Sequence, residues 1–309
     1  MFLVFLLYAL FALLFPLSKA SLSYSEPFFL IGSRMTFAGL LLLSYEGIKD
    51  KSQLQLGKKS FLLLFALGFL NIYLTNIAEI WGIKHLVSAK ACLLYSLSPF
   101  LAALFSYFIL SESLSLKKYL GLGIGFLGLL PSFWDCWITD SGELEHGIFS
   151  FGELSILLAV VSSVLGWILL KKVLQETKVK TLVANGYSML LGGCLAMLHS
   201  YCAGENWQPF PVMEPYLFLR NTFWMCLISN VICYNLYGYL LKSYSATFMS
   251  FAGLVTPLFA SFFGWIFLGE TVGQDFFLSL IFFSLGLFVF HKDELSFRQI
   301  FSRNIPQKV

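Results

Sequence analysis

Residues 95–114 read YSLSPFLAALFSYFILSESL, an apolar run that contains a proline and is closed by a glutamate. Pro99 and Glu112 are 13 residues apart, and the same pair returns in TPLFASFFGWIFLGET as Pro257 and Glu270, with the same spacing. Both residue types are costly inside a membrane helix, because proline removes a backbone donor and glutamate carries a charge. Their repetition indicates that the chain contains a duplicated structural unit.

The composition is that of a protein embedded in a lipid bilayer. Of the 309 residues, 58% are hydrophobic and only 12% are charged, and the mean hydropathy is +0.79. Soluble domains contain about 25% charged residues, and a soluble chain this apolar would expose too much hydrophobic surface. The sequence therefore predicts an integral membrane protein.

Ten apolar runs are predicted to cross the bilayer as helices, each of which needs about 20 residues. The runs are continuous rather than alternating, which argues against a transmembrane barrel. The first run lacks the basic start of a signal peptide and is interpreted as a mature helix. The predicted spans are residues 2–22, 27–46, 61–84, 89–110, 117–134, 152–170, 181–201, 217–241, 246–268 and 274–291.

Basic residues are distributed unequally between the two ends of these spans. With the N-terminus inside, the inner segments contain 15 of the 20 lysines and arginines, and the outer segments contain four. Because positive residues collect on the cytoplasmic side of short loops, both termini are predicted to be cytoplasmic.

An offset of 158 residues aligns the two halves of the chain without a gap. Pro99 then aligns with Pro257 and Glu112 with Glu270, in a chain that has only nine prolines. Each half contains five spans, and because five is odd, the second half enters the membrane from the opposite side. Inverted repeats of this kind are an architecture of secondary transporters, which bind substrate near the midplane between the halves.

The predicted fold class is an all-α integral membrane protein of ten transmembrane helices, arranged as two inverted five-helix repeats, N-in and C-in. The predicted units are a first repeat at 1–134, a polar outer loop at 135–151, a second repeat at 152–291 and a cytoplasmic tail at 292–309.

The fifth spans of the two repeats differ from each other in their content of small residues. Gly121, Gly125 and Gly128 lie on one helix face, which predicts close helix packing in the first repeat. Phe282 and Phe283 replace this glycine spacing in the second repeat, so the sequence leaves close packing of the last span open.

Two segments, SPFLAALFSYFILSESLSLKKYLGLGIGFLG and TPLFASFFGWIFLGETVGQDFFLSLIFFSLG, resemble the drug/metabolite transporter superfamily of the EamA type. The resemblance covers essentially the whole chain, since the ten spans, the two repeats and the Pro–Glu signature all correspond. It implies a secondary carrier in a bacterial inner membrane that moves a small polar or amphipathic metabolite by alternating access. The signature does not specify the substrate.

The chain is also similar to the S-adenosylmethionine carriers of obligate intracellular bacteria, which belong to this superfamily, in its general character and its 34 phenylalanines. This similarity implies uptake of S-adenosylmethionine in exchange for S-adenosylhomocysteine. Export of amino acids or toxic organic cations by proton exchange is the alternative within the carrier class.

Two charges inside spans are the first candidates for substrate binding. Arg34 and Glu79 lie about seven and six residues from the outer ends of their spans, roughly 9–11 Å below the outer surface at 1.5 Å per residue. Such a charge costs about 2.5–3.5 kcal/mol on insertion scales. The two side chains form either a structural ion pair or a pair that opens to hold a zwitterion, with Arg34 on a carboxylate and Glu79 on an ammonium group.

Polar and aromatic residues at a similar depth complete the predicted substrate site. Aromatic ring faces attract onium cations and stack on nucleobases, so a lining of rings would suit a sulfonium nucleoside. Tyr234 and Tyr237 are three residues apart, as are Asn76 and Glu79, so each pair shares a helix face. The other residues predicted to bind substrate are Trp81, Tyr8, Tyr95, Trp167, Asn185 and Asn230.

The repeated proline and glutamate residues are predicted to serve the motion between the two access states. Pro99 and Pro257 each free a carbonyl in the preceding turn, which makes a flexible hinge or a static kink. Glu112 and Glu270 lie at span ends, where each is an interfacial anchor or a gate that contacts basic residues of other spans.

A membrane enzyme and a channel are the rival classes. The four histidines are isolated and the six cysteines lack metal-ligand spacing, so neither catalytic residues, a metal nor a cofactor is predicted. The sequence also lacks a Walker loop and a helix with a continuous polar face. The predicted partners are a small-molecule substrate and the lipid bilayer, without nucleic acid. The sequence leaves open a homodimer and a disulfide between Cys136 and Cys202.

Overall fold

The computed structural model describes residues 1–85, 91, 94–112, 115–139, 151–177, 179–256, 258–259, 262–263, 278 and 280–290, without the side chains of residues 15, 16, 19, 84 and 129–139. Pro257 and Glu270, which the sequence predicts as hinge and gate, lie outside the described residues, as does the tail at 292–309.

Regular secondary structure in these ranges is helical, apart from one isolated bridge between Ser25 and Val212. Short 3-10 turns follow the second helix, at Lys51–Leu54, and the eleventh, at Gly253–Val255. In chain order, the helices are α1 (Phe2–Leu22), α2 (Pro27–Lys49), α3 (Lys58–Leu67), α4 (Thr75–His85), α5 (Ser98–Leu110), α6 (Leu116–Thr139), α7 (Phe151–Glu176), α8 (Thr181–Cys202), α9 (Pro215–Met225), α10 (Tyr234–Leu241), α11 (Ala246–Ala252) and α12 (Leu280–Phe290).

Five helical segments in the described residues are long and apolar enough to cross a membrane, and each falls on a span that the sequence predicts. They are Pro27–Lys49, Lys58–Ile83, Phe151–Glu176, Thr181–Cys202 and Pro215–Leu241. Shorter apolar helices lie at Phe2–Leu14, Ser98–Leu110, Ala246–Val255 and Leu280–Phe290. The prediction of an all-α membrane protein is therefore confirmed.

Two of the long segments are interrupted by π-helix. The first π segment, π1 (Gly68–Leu74), separates α3 from α4, and the second, π2 (Cys226–Cys233), separates α9 from α10. The two segments begin 158 residues apart, which is the offset that aligns the two halves of the sequence. Because π-helical turns are frequent at functional sites, the helices that follow them, α4 and α10, are candidates to carry functional residues.

The backbones of α2 and α8 approach each other closely through glycines. A methyl group added to Gly39 would lie 2.5 Å from the backbone nitrogen of Leu190. A methyl group added to Gly32 would lie 2.7 Å from the backbone nitrogen of Met197. Small residues at these positions let the two helices touch along their backbones, as in other membrane helix pairs.

Close packing is also present between α6 and α12, which the sequence left open. A methyl group added to Gly286 would lie 2.6 Å from the carbonyl oxygen of Gly121, so Gly286 supplies the small residue that α12 needs. Phe283 turns inward and packs edge-on against Phe251, with ring centroids 5.7 Å apart.

Several helices extend past the ends of the predicted spans, and α6 is one of them. The fifth span was expected to end at residue 134, but α6 continues to Thr139. The residues between include Trp137, a type that prefers the membrane interface. A helix can therefore continue past the hydrocarbon core into the interface, where hydropathy alone places a loop.

The proline of the fourth span lies at the start of a helix rather than inside one. Residues 96–97 form a turn, α5 begins at Ser98, and Pro99 occupies its first turn. Proline is well tolerated there because the first N–H groups of a helix have no intrahelical partner. The static kink expected within the span is thus replaced by a break before it.

We expect Gly39→Ala to destabilise the folded protein. The added methyl group would lie 2.5 Å from the Leu190 backbone nitrogen and 2.8 Å from the Gly186 carbonyl oxygen, so α2 and α8 would have to move apart. Overpacking of this kind costs about 1–3 kcal/mol and should lower the midpoint of thermal unfolding in detergent. Gly123→Ala is the matched control, since nothing lies within 4 Å of its added methyl group. Equal midpoints for the two variants would contradict the packing argument.

Candidate substrate-binding site

Seven of the residues predicted from the sequence form a continuous chain of neighbours inside the helix bundle. They divide into a charged part, with Arg34, Glu79 and Tyr95, and an aromatic part, with Tyr8, Trp167, Tyr234 and Tyr237. The charged part comes from the first half of the chain. Three of the four rings in the aromatic part come from the second half.

In the charged part, two opposite charges lie near each other without forming a closed ion pair. Arg34 of α2 and Glu79 of α4 are both partly buried and lie within electrostatic range. Within the described ranges, no carboxylate oxygen lies within 4.0 Å of the Arg34 guanidinium. Tyr95 lies within electrostatic range of the Glu79 carboxylate.

The Arg34 guanidinium retains unused hydrogen-bonding capacity. Its Nε is buried and has no hydrogen-bond partner among the residues that the structure describes. A buried donor without a partner is unfavourable, and guanidinium groups bind carboxylates through two parallel hydrogen bonds. An anionic ligand group would satisfy this donor.

The aromatic part is built around Trp167 of α7. Its ring stacks on Tyr237, with centroids 3.9 Å apart and planes at 23°, and lies 5.1 Å from Tyr234. Tyr8 of α1 meets Tyr237 edge-on at 6.5 Å, and its hydroxyl donates to the carbonyl oxygen of Met249. Tyr234 and Tyr237 therefore present one face of α10 to the same tryptophan.

Side-chain amides just after the π segments donate to backbone carbonyl oxygens within them. Asn76 Nδ2 donates to the Ile72 carbonyl oxygen at 2.7 Å, and Asn235 Nδ2 donates to the Val231 carbonyl oxygen at 2.9 Å. The predicted residue Asn185 donates to Asn235 Oδ1 at 3.1 Å, which ties α8 to α10. Asn76 and Asn185 are thus engaged in supporting the helices that carry the site.

Two further predicted residues are placed away from the charged and aromatic parts. Asn230 is fully buried, and its Nδ2 lies 2.8 Å from the sulfur of Met35. Trp81 is 38% exposed and stacks on His85 with centroids 4.2 Å apart. Trp81 is two residues from Glu79, and residues at that spacing do not share a helix face.

Sequence reasoning missed Phe11 and Asn235. Phe11 lies edge-on to Tyr234 at 6.4 Å and belongs with the aromatic part. Its spacing of three from Tyr8 was a signal, but it is one of 34 phenylalanines. Asn235 follows Tyr234 directly and points toward α8, a direction that only the packing of helices reveals.

Ion pairs join the two halves of the chain at one end of the bundle. Lys171 of α7 contacts Glu112, just past α5, with Nζ 2.6 Å from Oε1, and also donates to the Tyr244 carbonyl oxygen at 3.0 Å. Lys180, before α8, contacts Glu46 of α2 at 2.5 Å, and this hydrogen bond raises the pKa of Lys180.

The described cysteines and acidic residues do not suggest other chemistry. Cys194, Cys202, Cys226 and Cys233 are free, while the side chain of Cys136 is outside the described part. Within that part, no group of three or more histidine, cysteine or acidic residues could hold a metal ion.

Comparison with known proteins identifies relatives of the chain over almost its full length. The profile of the EamA-like transporter family matches residues 1–134 and 150–291. The S-adenosylmethionine/S-adenosylhomocysteine transporter of Chlamydia muridarum is 38% identical over 299 residues, which cover 96% of this chain and 92% of that protein. The protein of the same name from Chlamydia trachomatis serovar L2 is also 38% identical, covering 96% of this chain and 90% of that protein.

More distant similarities include another transporter and a solved structure. An uncharacterized transporter of Synechocystis is 26% identical over 287 residues, covering 89% of this chain and 84% of that protein. One solved crystal structure superposes with a TM-score of 0.74 over 96% of each chain, at 15% identity, which shows a shared fold.

These relatives are transporters, so the chain is not an enzyme, and it is a multi-pass protein of the bacterial inner membrane. The resemblance seen in the repeated proline and glutamate segments is confirmed. With matches in both halves and relatives at 38% identity over 96% of its length, the chain belongs to the EamA-like transporter family.

Proposed function

We propose that the protein exchanges S-adenosylmethionine for S-adenosylhomocysteine across the inner membrane by alternating access. The observation that carries this proposal is the division of the site into an open charged part and an adjoining aromatic part. Each substrate is an amino acid joined through sulfur to an adenine nucleoside, so it has a group for each part. The Chlamydia relatives at 38% identity, which are named for these two compounds, support the choice.

In the proposed complex, the amino-acid end of the substrate binds the charged part. The α-carboxylate pairs with Arg34, whose Nε has an unused hydrogen. The α-ammonium pairs with Glu79, which lies within electrostatic range of Arg34. The adenine binds among the rings of the aromatic part, because every nucleobase has a π-face that stacks on aromatic side chains.

We also propose that the ten helices form two inverted five-helix repeats with both termini cytoplasmic. The helix contacts support a twofold relation between the halves. In the 158-residue alignment, Gly39 corresponds to Met197 and Gly32 corresponds to Leu190. Gly39 contacts Leu190, and the equivalent residues Met197 and Gly32 also contact each other, as a twofold axis between the halves requires. The position of the π segments and the two segments matched by the family profile support the same division.

The two repeats contribute different chemistry to the proposed site. In the 158-residue alignment, Glu79 corresponds to Tyr237, and Arg34 corresponds to Gly192. The charges of the first repeat therefore have no counterparts in the second, where a ring and a glycine stand instead. A substrate with one charged end and one aromatic end would bind in a single orientation.

We propose that the pair Glu112–Lys171 is a gate and that the contact of α2 with α8 is the pivot. The pair joins the end of α5 to α7 across the two halves, and a pair of charges can separate into water when that end opens. The backbones of α2 and α8 interlock through glycines and cannot slide apart without losing that contact. Pro99 lies in the first turn of α5 and serves as its hinge, and by the repeat alignment we propose matching roles for Pro257 and Glu270.

Exchange is tested in proteoliposomes loaded with S-adenosylhomocysteine and supplied with external labelled S-adenosylmethionine. We expect saturable uptake that depends on the internal substrate. Glu79→Gln should reduce uptake at low substrate concentration about 10- to 150-fold, because the amide keeps an acceptor but loses the negative charge that strengthens the bond to the ammonium group. Trp81→Phe is the control, since Trp81 lies outside the site, and it should transport normally.

Two results would contradict the exchange proposal. Correctly folded, reconstituted protein that gives no uptake above empty liposomes would exclude these substrates. Uptake that is the same with and without internal S-adenosylhomocysteine would exclude obligatory exchange.

The gate is tested by crosslinking cysteines at the two ion pairs, with Cys194 and Cys202 replaced by serine. A short, reducible bifunctional thiol reagent replaces the two long side chains, since a direct disulfide needs closer backbones. Crosslinking of the pair Glu112→Cys and Lys171→Cys should stop exchange, and reduction should restore it, because the gate must open in each cycle. The pair Glu46→Cys and Lys180→Cys is the control, and its crosslink should leave exchange largely intact, because α2 and α8 stay together. With both crosslinks shown to form, equal inhibition by both, or by neither, would refute the assignment of gate and pivot.

A further inference from the structure

We infer that Tyr234 distinguishes the two exchanged substrates by presenting its ring to the sulfonium group of S-adenosylmethionine. The inference rests on the proposed function and adds to it a residue that sets the preference for one substrate over the other. The observation behind this inference is that Tyr234 lies between the charged part and the aromatic part of the site.

Tyr234 is the residue at which the charged part and the aromatic part meet. It lies within electrostatic range of both Arg34 and Glu79. Its ring contacts Trp167 at 5.1 Å with planes at 43°, and Phe11 edge-on at 6.4 Å. Its side chain is partly exposed, and it occupies the first position of α10 after the second π segment.

The substrate's sulfur atom has to lie near this junction. The sulfur joins the amino-acid carbons to the ribose, so an amino-acid end on Arg34 and Glu79 and a base among the rings leave the sulfur between them. The two substrates differ there by one methyl group and one positive charge. A ring face attracts a cation and is nearly indifferent to a neutral thioether.

The neighbouring groups are less suited to this discrimination. Tyr237 has one face covered by Trp167 at 3.9 Å, and the plane of Tyr8 stands at 85° to that of Tyr237. Arg34 repels a cation. Glu79 pairs with the ammonium group, which both substrates possess.

This arrangement gives the site a preference for one of the two substrates. S-adenosylmethionine would bind more tightly than S-adenosylhomocysteine by about 3- to 30-fold, the range expected for a cation on an aromatic face. The neutral product then leaves more readily and is displaced by the incoming cation.

The test measures displacement of labelled S-adenosylmethionine from purified protein by each unlabelled substrate. Tyr234→Phe keeps the ring and should keep the affinity ratio. Tyr234→Leu should reduce the ratio about 3- to 30-fold, chiefly through weaker binding of S-adenosylmethionine. Tyr237→Leu is the matched control and should weaken both substrates alike, leaving the ratio unchanged.

A second measurement changes the electronics of the ring without changing its packing. Phenylalanines with increasing fluorination are incorporated at position 234, where each fluorine weakens the attraction of the ring for cations. The affinity for S-adenosylmethionine should fall stepwise while that for S-adenosylhomocysteine stays constant.

The outcomes separate this inference from the proposed function. An unchanged ratio in Tyr234→Leu, or no trend with fluorination, would overturn the role of Tyr234 while leaving exchange intact. Failure of the folded wild-type protein to bind either compound would instead overturn the proposed function.

Discussion

Inside a bilayer there is no water to satisfy a backbone carbonyl or a charged side chain, so the protein must supply every partner itself. This constraint explains why the described segments are helical and why the two π segments are followed by asparagines. The amides of Asn76 and Asn235 donate to backbone carbonyl oxygens of these segments at 2.7 and 2.9 Å. Several buried polar atoms of the described residues have no hydrogen-bond partner, and the Nε of Arg34 is one of them. It differs from the hydroxyl groups in that set because it belongs to a guanidinium group, which stays charged. In the proposed complex, the carboxylate of the ligand satisfies this donor.

The interfaces between the two halves differ in how easily they separate. Along α2 and α8 the contact is between backbones at glycines, where any displacement loses van der Waals contact over the whole helix. At the end of the bundle, Glu112 and Lys171 connect the halves through a single ion pair. When charged groups separate, hydration by water offsets the lost ion pair. When tightly packed backbones separate, no new interaction offsets the lost van der Waals contacts. A motion that exposes alternate faces will therefore break the polar contact and preserve the packed one.

The sequence identified the candidate residues whose presence in a membrane helix is energetically unfavourable. A mid-span arginine, a mid-span glutamate and a repeated proline are unusual in a membrane chain, and such residues need a reason to be there. It did not predict the π segments, because a π turn is made by packing and has no residue signature. The sequence also did not predict the position of the Trp81 side chain. Trp81 is two residues from Glu79, so it lies on another face of α4, where it stacks on His85. Asn76 shares a face with Glu79, as predicted, but its amide is used by the helix itself.

In the proposed repeat, the two halves have diverged at the candidate site. A strictly symmetric carrier would place the same groups on both sides of the axis and would bind symmetric substrates best. In the 158-residue alignment Glu79 corresponds to Tyr237, so the first half has the charges and the second half has most of the rings. In the proposed complex, an amphipathic metabolite contacts both halves at once and holds them together only when both of its ends are bound. The proposal therefore makes substrate binding the step that couples the two halves.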